Sequence, residues 1–305
     1  MEKEQLRILI AFDGSELALQ AVRYMAGLVQ PSKTEMVLFH VETKMPEFHN
    51  ERGIDMGFPS KKSDARAFFL QQRKAFNQTL KKAYQELREA GFPESAIVTK
   101  IQEKKIGIAR DIIREAQEGY DALVVGRTGT SKLKDILLGS IPTKLLGKIK
   151  GIPLIVVGGV SRQNKILVAF DGSKEIMRAV RHMGQVVNAG DCKVMLCHVL
   201  RSQSIFQRGD EVIWQKMEKE RMEPKLNELK ACLFDAGVPF NNVSCEFLTD
   251  KISRASGVLE RAKEGKFGTL VIGRRGMTVV KEFFVGRVGN KIFQLAGDLT
   301  VWVMS

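Results

Sequence analysis

The feature that most narrows what this chain can become is a glycine-punctuated stretch that occurs twice at a fixed separation. Gly126-Arg127-Thr128-Gly129 is followed, after nine residues, by Gly139-Ser140. Gly273-Arg274-Arg275-Gly276 is followed, again after nine, by Gly286-Arg287, so both glycine pairs recur 147 residues on. Each stretch comes directly after a short apolar run, Ala122-Leu123-Val124-Val125 or Leu270-Val271-Ile272, that reads as a buried strand. After the first copy, Ile141, Leu145, Leu146 and Ile149 recur at helical spacing. A glycine loop therefore leaves the carboxyl end of a strand and feeds a helix, where backbone amides converge and a phosphate can sit. Glycine suits such a loop because a side chain would block close approach of a ligand to the backbone.

The repeat extends beyond the loops. Asp13-Gly14-Ser15 recurs as Asp171-Gly172-Ser173, and His40-Val41 as His198-Val199, both 158 residues on. The change of offset from 158 to 147 makes the second copy about eleven residues shorter, mostly in the loop after its second strand. A chain of 305 residues accommodates two domains of ordinary size. They are expected at 1–158 and 165–305, with the polar stretch 159–164 as linker.

Strands alternate with helices in both copies. In the first, strands are expected at Leu6–Phe12, Glu35–Val41, Ile97–Ile101, Ala122–Val125 and Pro153–Val157. Ser15 is a good helix N-cap. A loop is expected at 42–63, long enough to act as a lid or an interaction surface. A helix is expected from about Asp64 to Ala90, and another over Ile106–Glu118 with Ile108, Ile112, Ile113 and Ala116 turned inward. The fold class is α/β: two tandem, doubly wound, five-stranded parallel-sheet domains, each a three-layer α/β/α sandwich with its own sheet.

Charge and composition bound the partners. The net charge of +13 favours anionic ligands, but the basic residues are scattered and no aromatic-rich basic strand accompanies them, so nucleic acid is not expected. No apolar run reaches the roughly 20 residues of a membrane helix. The charged start Met1-Glu2-Lys3-Glu4 and four cysteines without a C-x-x-C pair suit a cytoplasmic protein with free thiols. The four histidines have no metal-ligand spacing.

Through the spacing G-x2-G-x9-G-S, together with an Asp at the end of the first strand, the chain resembles two tandem universal stress protein domains. The resemblance covers both halves. It implies an adenine-nucleotide alpha-hydrolase-like fold and a site for ATP or a related adenine nucleotide. Asp13 would lie beside the ribose and phosphates, through a magnesium ion where one is bound. Val41 would touch adenine, Gly126 and Gly129 would wrap the phosphates, and Gly139 and Ser140 would present amides and a hydroxyl. Ala11, Ser15, Val125, Arg127 and Ile141 flank these positions and complete the candidate site. The second copy keeps Asp171, Val199, Gly273, Gly276 and Gly286, but Arg287 stands where the first has Ser140. A cation at a helix amino end is unfavourable unless an anion sits there, so either Arg287 clamps a phosphate or the second site has decayed; weak or absent binding in the second copy is favoured. The resemblance also implies antiparallel pairing of the two fifth strands within one chain, and leaves further association of two chains open.

The leading function is a nucleotide-binding stress-response module read by an unknown protein partner. Two alternatives stand beside it. A slow hydrolase on the same fold has against it the absence of a Walker lysine motif, of an S-G-G-x-D-S loop and of an evident general base. A pure interaction module without nucleotide would be expected to have lost the glycines.

Overall fold

The computed structural model describes residues 5–43, 59–128, 138–159, 164–201, 208–251, 253–274 and 286–304. The first half contains β1 (Leu6–Ala11), α1 (Glu16–Ala26), β2 (Thr34–Glu42), α2 (Pro59–Glu89), β3 (Ile97–Glu103), α3 (Ile108–Glu115), β4 (Ala122–Gly126), α4 (Ser140–Leu146) and β5 (Leu154–Val157). The second repeats the plan with β6 (Lys165–Ala169), α5 (Lys174–Val186), β7 (Lys193–Arg201), α6 (Arg208–Asp235) and β8 (Val243–Lys251). It closes with α7 (Arg254–Glu264), β9 (Thr269–Gly273), α8 (Gly286–Leu295) and β10 (Thr300–Met304).

The central strands are apolar on both faces, as strands covered by helices on each side must be. In β1, Ile8, Leu9 and Ile10 are all fully buried. Ser15 and Ser173 start α1 and α5 as N-caps, their hydroxyls accepting from Ala18 N at 3.1 Å and Ile176 N at 3.3 Å. Within each half the strands are parallel, in the orders β3-β2-β1-β4-β5 and β8-β7-β6-β9-β10.

The two halves meet as the resemblance implies, their five-stranded sheets forming one continuous ten-stranded sheet joined at β5 and β10. These pair antiparallel, Val156 opposite Val301, Ile155 opposite Trp302 and Leu154 opposite Val303. The pairing removes two edges that would otherwise present unpaired backbone groups. One core cluster, including residues of α1, α2, α5 and α6, lies on one face; another, with α3, α4, α7 and α8, lies on the other; both run across the junction.

Helices reinforce the junction. Tyr24 of α1, fully buried, shares a 2.8 Å hydrogen bond with Thr269 Oγ1 of β9 and accepts one of 2.8 Å from Trp302 Nε1 of β10. At the repeat-equivalent position on α5, His182 Nε2 donates to Asp121 O just before β4, at 2.6 Å. Tyr24 is buried because α1 packs on the other half as well as on its own sheet.

Two local expectations are corrected. α2 begins at Pro59, inside the stretch expected to be loop; proline loses no hydrogen bond in a helix's first turn. The remainder of that loop, 44–58, lies outside the described residues. Ile108 is 39% exposed rather than core, while Asp111 and Glu115 of the same helix are buried. Glu115 is held by Lys100 of β3 at 2.7 Å. The equivalent place in the second half carries the reversed pair, Glu246 of β8 with Arg261 of α7 at 2.6 Å.

Replacing Tyr24 with Phe takes away the buried acceptor of the Trp302 N–H and one hydrogen bond of Thr269. Tyr24→Phe is therefore expected to cost about 1–3 kcal/mol of stability in urea unfolding, with the slope of the transition unchanged.

Candidate functional site

A cavity of about 860 Å³ opens at the carboxyl ends of β1, β2 and β4. It lies where the strand order reverses, since β1 pairs with β2 on one side and β4 on the other. Strand ends supply Ala11, Asp13, Val41, Val125 and Gly126; the start of α1 supplies Ser15; the glycine loop and α4 supply Thr128, Gly139, Ser140 and Ile141. Nine residues of the sequence-based site thus gather around one space: Ala11, Asp13, Ser15, Val41, Val125, Gly126, Gly139, Ser140 and Ile141. Gly129 lies outside the described residues.

The local geometry explains several of these residue types. Asp13 Oδ1 accepts the Ser15 amide at 2.9 Å, which leaves its second oxygen toward solvent and cavity. Gly14, at φ +79°, packs so closely on α2 that a Cβ there would lie 2.9 Å from Phe76 Cδ2. Gly139 donates to Arg127 O at 2.8 Å, and a Cβ on it would stand 3.2 Å from Arg127 O and Thr128 Cα. Gly126 is also required by packing, because a Cβ on it would lie 3.1 Å from Leu17 Cβ and 3.2 Å from the Leu17 carbonyl. Gly273 repeats this against Ile176 N, at 2.9 Å.

Arg127 is corrected. Its side chain turns away from the cavity into the junction, where it is 8% exposed. Nη1 donates to Phe293 O at 2.9 Å and Nη2 to Leu299 O at 3.0 Å, both in the second half. Burial lowers its pKa, with Asp298 opposing that shift.

The structure adds a wall that sequence reading missed. Phe69, Gln72, Arg73 and Phe76 of α2 and Ile108 of α3 also line the cavity. The apolar spacing of α2 marks Phe69 and Phe76 as inward, yet only the packing direction tells core from cavity. Phe76 stacks on His40 with ring centroids 4.1 Å apart, and His40 Nδ1 donates to Phe12 O at 2.9 Å. The segment leading to Ile108 is pinned by Asp111, whose carboxylate accepts the amides of Lys105 at 2.9 Å, Ile106 at 3.2 Å and Gly107 at 3.3 Å.

The corresponding region of the second half is built differently. Asp171 keeps its hydrogen bond, accepting Ser173 N at 3.0 Å, and Val199 is buried at the end of its strand segment. Met222 replaces Phe76 over Gly172, and Lys225 Nζ donates to Gly172 O at 3.0 Å. Gln72 is matched by Glu218, which lies 3.6 Å from His198 Nε2 and 2.6 Å from Arg221. Ile108 is matched by Arg254. The Arg221 hydrogen bond is the main cause holding the Glu218 carboxyl below its usual range, with His198 and Arg254 contributing; burial pushes the His198 pKa down. Gly276 and the side chain of Arg287 lie outside the described residues; Gly286 and Arg287 open α8.

Burial alone would raise the Asp111 pKa, but its three backbone hydrogen bonds outweigh burial and hold it below the usual carboxylate range. A carboxylate so depressed contributes stability above its unfolded pKa of about 3.9 and loses it as pH falls through the folded value. The destabilisation caused by Asp111→Asn, followed by chemical denaturation, is therefore expected to be constant down to about pH 4 and to shrink below it.

The universal stress protein family model matches the chain twice, at residues 6–158 and 163–297. A universal stress protein from Synechocystis, Sll1388, is 26% identical over 161 residues, covering 49% of this chain and 96% of that one. Among solved structures, a universal stress protein from Archaeoglobus fulgidus is similar over 98% of this chain and 96% of its own, with a TM-score of 0.59 and 20% identity. A putative universal stress protein from Pseudomonas aeruginosa covers 98% of this chain and 92% of its own, with a TM-score of 0.58 and 16% identity. No described helix is long and apolar enough to cross a membrane.

Proposed function

Because the chain belongs to the universal stress protein family, with the family's domain present twice, we propose that it binds an adenine nucleotide in its first half and serves as a regulatory module in a stress response. One observation carries this reading: Asp13, Gly126, Gly139 and Ser140, from three separate places in the sequence, border one cavity at the reversal of strand order. Ala11, Val41, Val125, Ile112 and Phe69 offer apolar surface for a base. Thr128, Gly139 and Ser140 offer a polar edge for phosphates, and Arg73 adds a cation. ATP is the nucleotide favoured, since the first half carries the whole G-x2-G-x9-G-S spacing.

Among the described residues, no three His, Cys, Asp or Glu side chains gather to hold a metal on their own. A magnesium ion would therefore arrive with the phosphates, which are its usual partners, and Asp13 would offer it the oxygen that Ser15 leaves unused. Such an ion would neutralise phosphate charge beside that carboxylate.

Binding is assigned mainly to the first half. Where it has Gln72 and Ile108, the second has Glu218 and Arg254 beside His198, so charged groups stand where the first-half wall is uncharged. The four free cysteines support a cytoplasmic, reducing setting. A protein partner would read the nucleotide through whatever difference in affinity the two conformations have for it.

Mass spectrometry of freshly purified protein tests the reading directly. Intact ATP supports a binder, ADP or AMP points to hydrolysis, and no nucleotide, with no calorimetric ATP binding, refutes it. Gly139→Val, whose side chain would press on Arg127 O and Thr128 Cα, is expected to abolish ATP binding in calorimetry while thermal unfolding remains cooperative.

A further inference from the structure

The second half also acts on the first half's cavity, from the far end of a helix. Ser140, Ile141 and Pro142, at the start of α4, form part of the cavity wall. The other end of α4 lies at the junction. There Arg274, one residue past the end of β9, donates Nη2 to Gly147 O and Nη1 to Ile149 O, each at 3.3 Å. Gly147 is the C-cap of α4. Carbonyls at this end of a helix have no intrahelical donor and carry the negative end of the dipole, so a guanidinium satisfies both the hydrogen bonds and the charge.

Arg274 is itself firmly placed. It is 7% exposed, and its amide donates to Met304 O of β10 at 2.7 Å. Between the two ends, α4 is a single stiff unit of seven residues with Leu145 and Leu146 buried. Its length of about 10 Å is short enough that a shift at the held end moves the cavity wall. The relation is reciprocal. Arg127, next to Gly126 of the first motif, reaches Phe293 O near the end of α8, the helix that opens with Gly286 of the second.

We infer that Arg274 is a positioning residue for the first-half site: the second half holds α4 where Ser140, Ile141 and Pro142 wall the cavity, so one half of the chain completes the binding site of the other. This rests on the cavity being the nucleotide site. A second half without a ligand of its own would then be kept for this mechanical role.

The test uses the full chain, with Arg274→Met, Arg274→Lys and Trp302→Phe. Trp302 supplies a junction hydrogen bond to Tyr24, but its side chain belongs to the core on the sheet face opposite α4, so it controls for general loosening. Two quantities are read: affinity for magnesium ATP by calorimetry, and amide hydrogen exchange over residues 140–146 without nucleotide. Arg274→Met is expected to weaken ATP binding about tenfold and to speed exchange over 140–146, with Arg274→Lys recovering most of both. Trp302→Phe should lower the unfolding midpoint and leave both quantities as in the wild type. The inference is overturned if Arg274→Met changes neither quantity, or if Trp302→Phe changes both as much. If the wild-type chain binds no adenine nucleotide, the functional reading fails on its own; exchange then decides whether Arg274 positions α4. Should Arg274→Met not fold, Arg274→Gln, which keeps one donor, is read in its place by the same criteria.

Discussion

The antiparallel contact between β5 and β10 is the constraint on which the rest of the molecule depends. A five-stranded parallel sheet that ends on an apolar strand cannot leave that strand exposed, and here each half ends on one. Pairing them satisfies both backbones and buries both sets of side chains. It also brings β4 and β9 to within one strand of the junction, so the residues directly after them, Arg127 and Arg274, reach the opposite half. In an isolated half, each of these arginines would lose the carbonyls it serves here.

What could be read in the sequence follows from what is periodic in it. Strand and helix types and the repeat follow from apolar runs and glycine spacing, because those patterns reflect local backbone requirements; the grouping of Asp13, Gly126, Gly139 and Ser140 comes from the family resemblance. Direction was not legible. Arg127 sits among motif residues, yet the twist at the end of β4 turns its side chain to the opposite half. Ile108 has the right spacing for core but faces the cavity, because Asp111 gathers the preceding amides and fixes the entry to α3. Phe76 and Arg73 needed the tertiary placement of α2, which no local rule supplies. The start of α2 is hidden because proline reads as a loop marker although it also suits a first helical turn.

The two halves share a scaffold and differ in what fills it. Gly126 and Gly273 make room for the helix packed on the strand end, and the hydrogen bonds of Asp13 and Asp171 fix the turn after the first strand; these are architectural and present in both. Phe76 gives way to Met222 as the side chain over the turn glycine, and Gln72 and Ile108 give way to the charged Glu218 and Arg254. Glycines that packing requires in both halves do not by themselves mark a ligand site.

The reversed ion pairs on β3 and β8 carry a further consequence. Lys100 meets Glu115 in the first half, and Glu246 meets Arg261 in the second. Near-duplicate units on one ribbon are prone to trade pieces while the chain is still collapsing. A strand from one unit docking under the helix of the other would set lysine against arginine, or glutamate against glutamate. The inverted polarity thus disfavours seating an outer strand beneath the other half's helix.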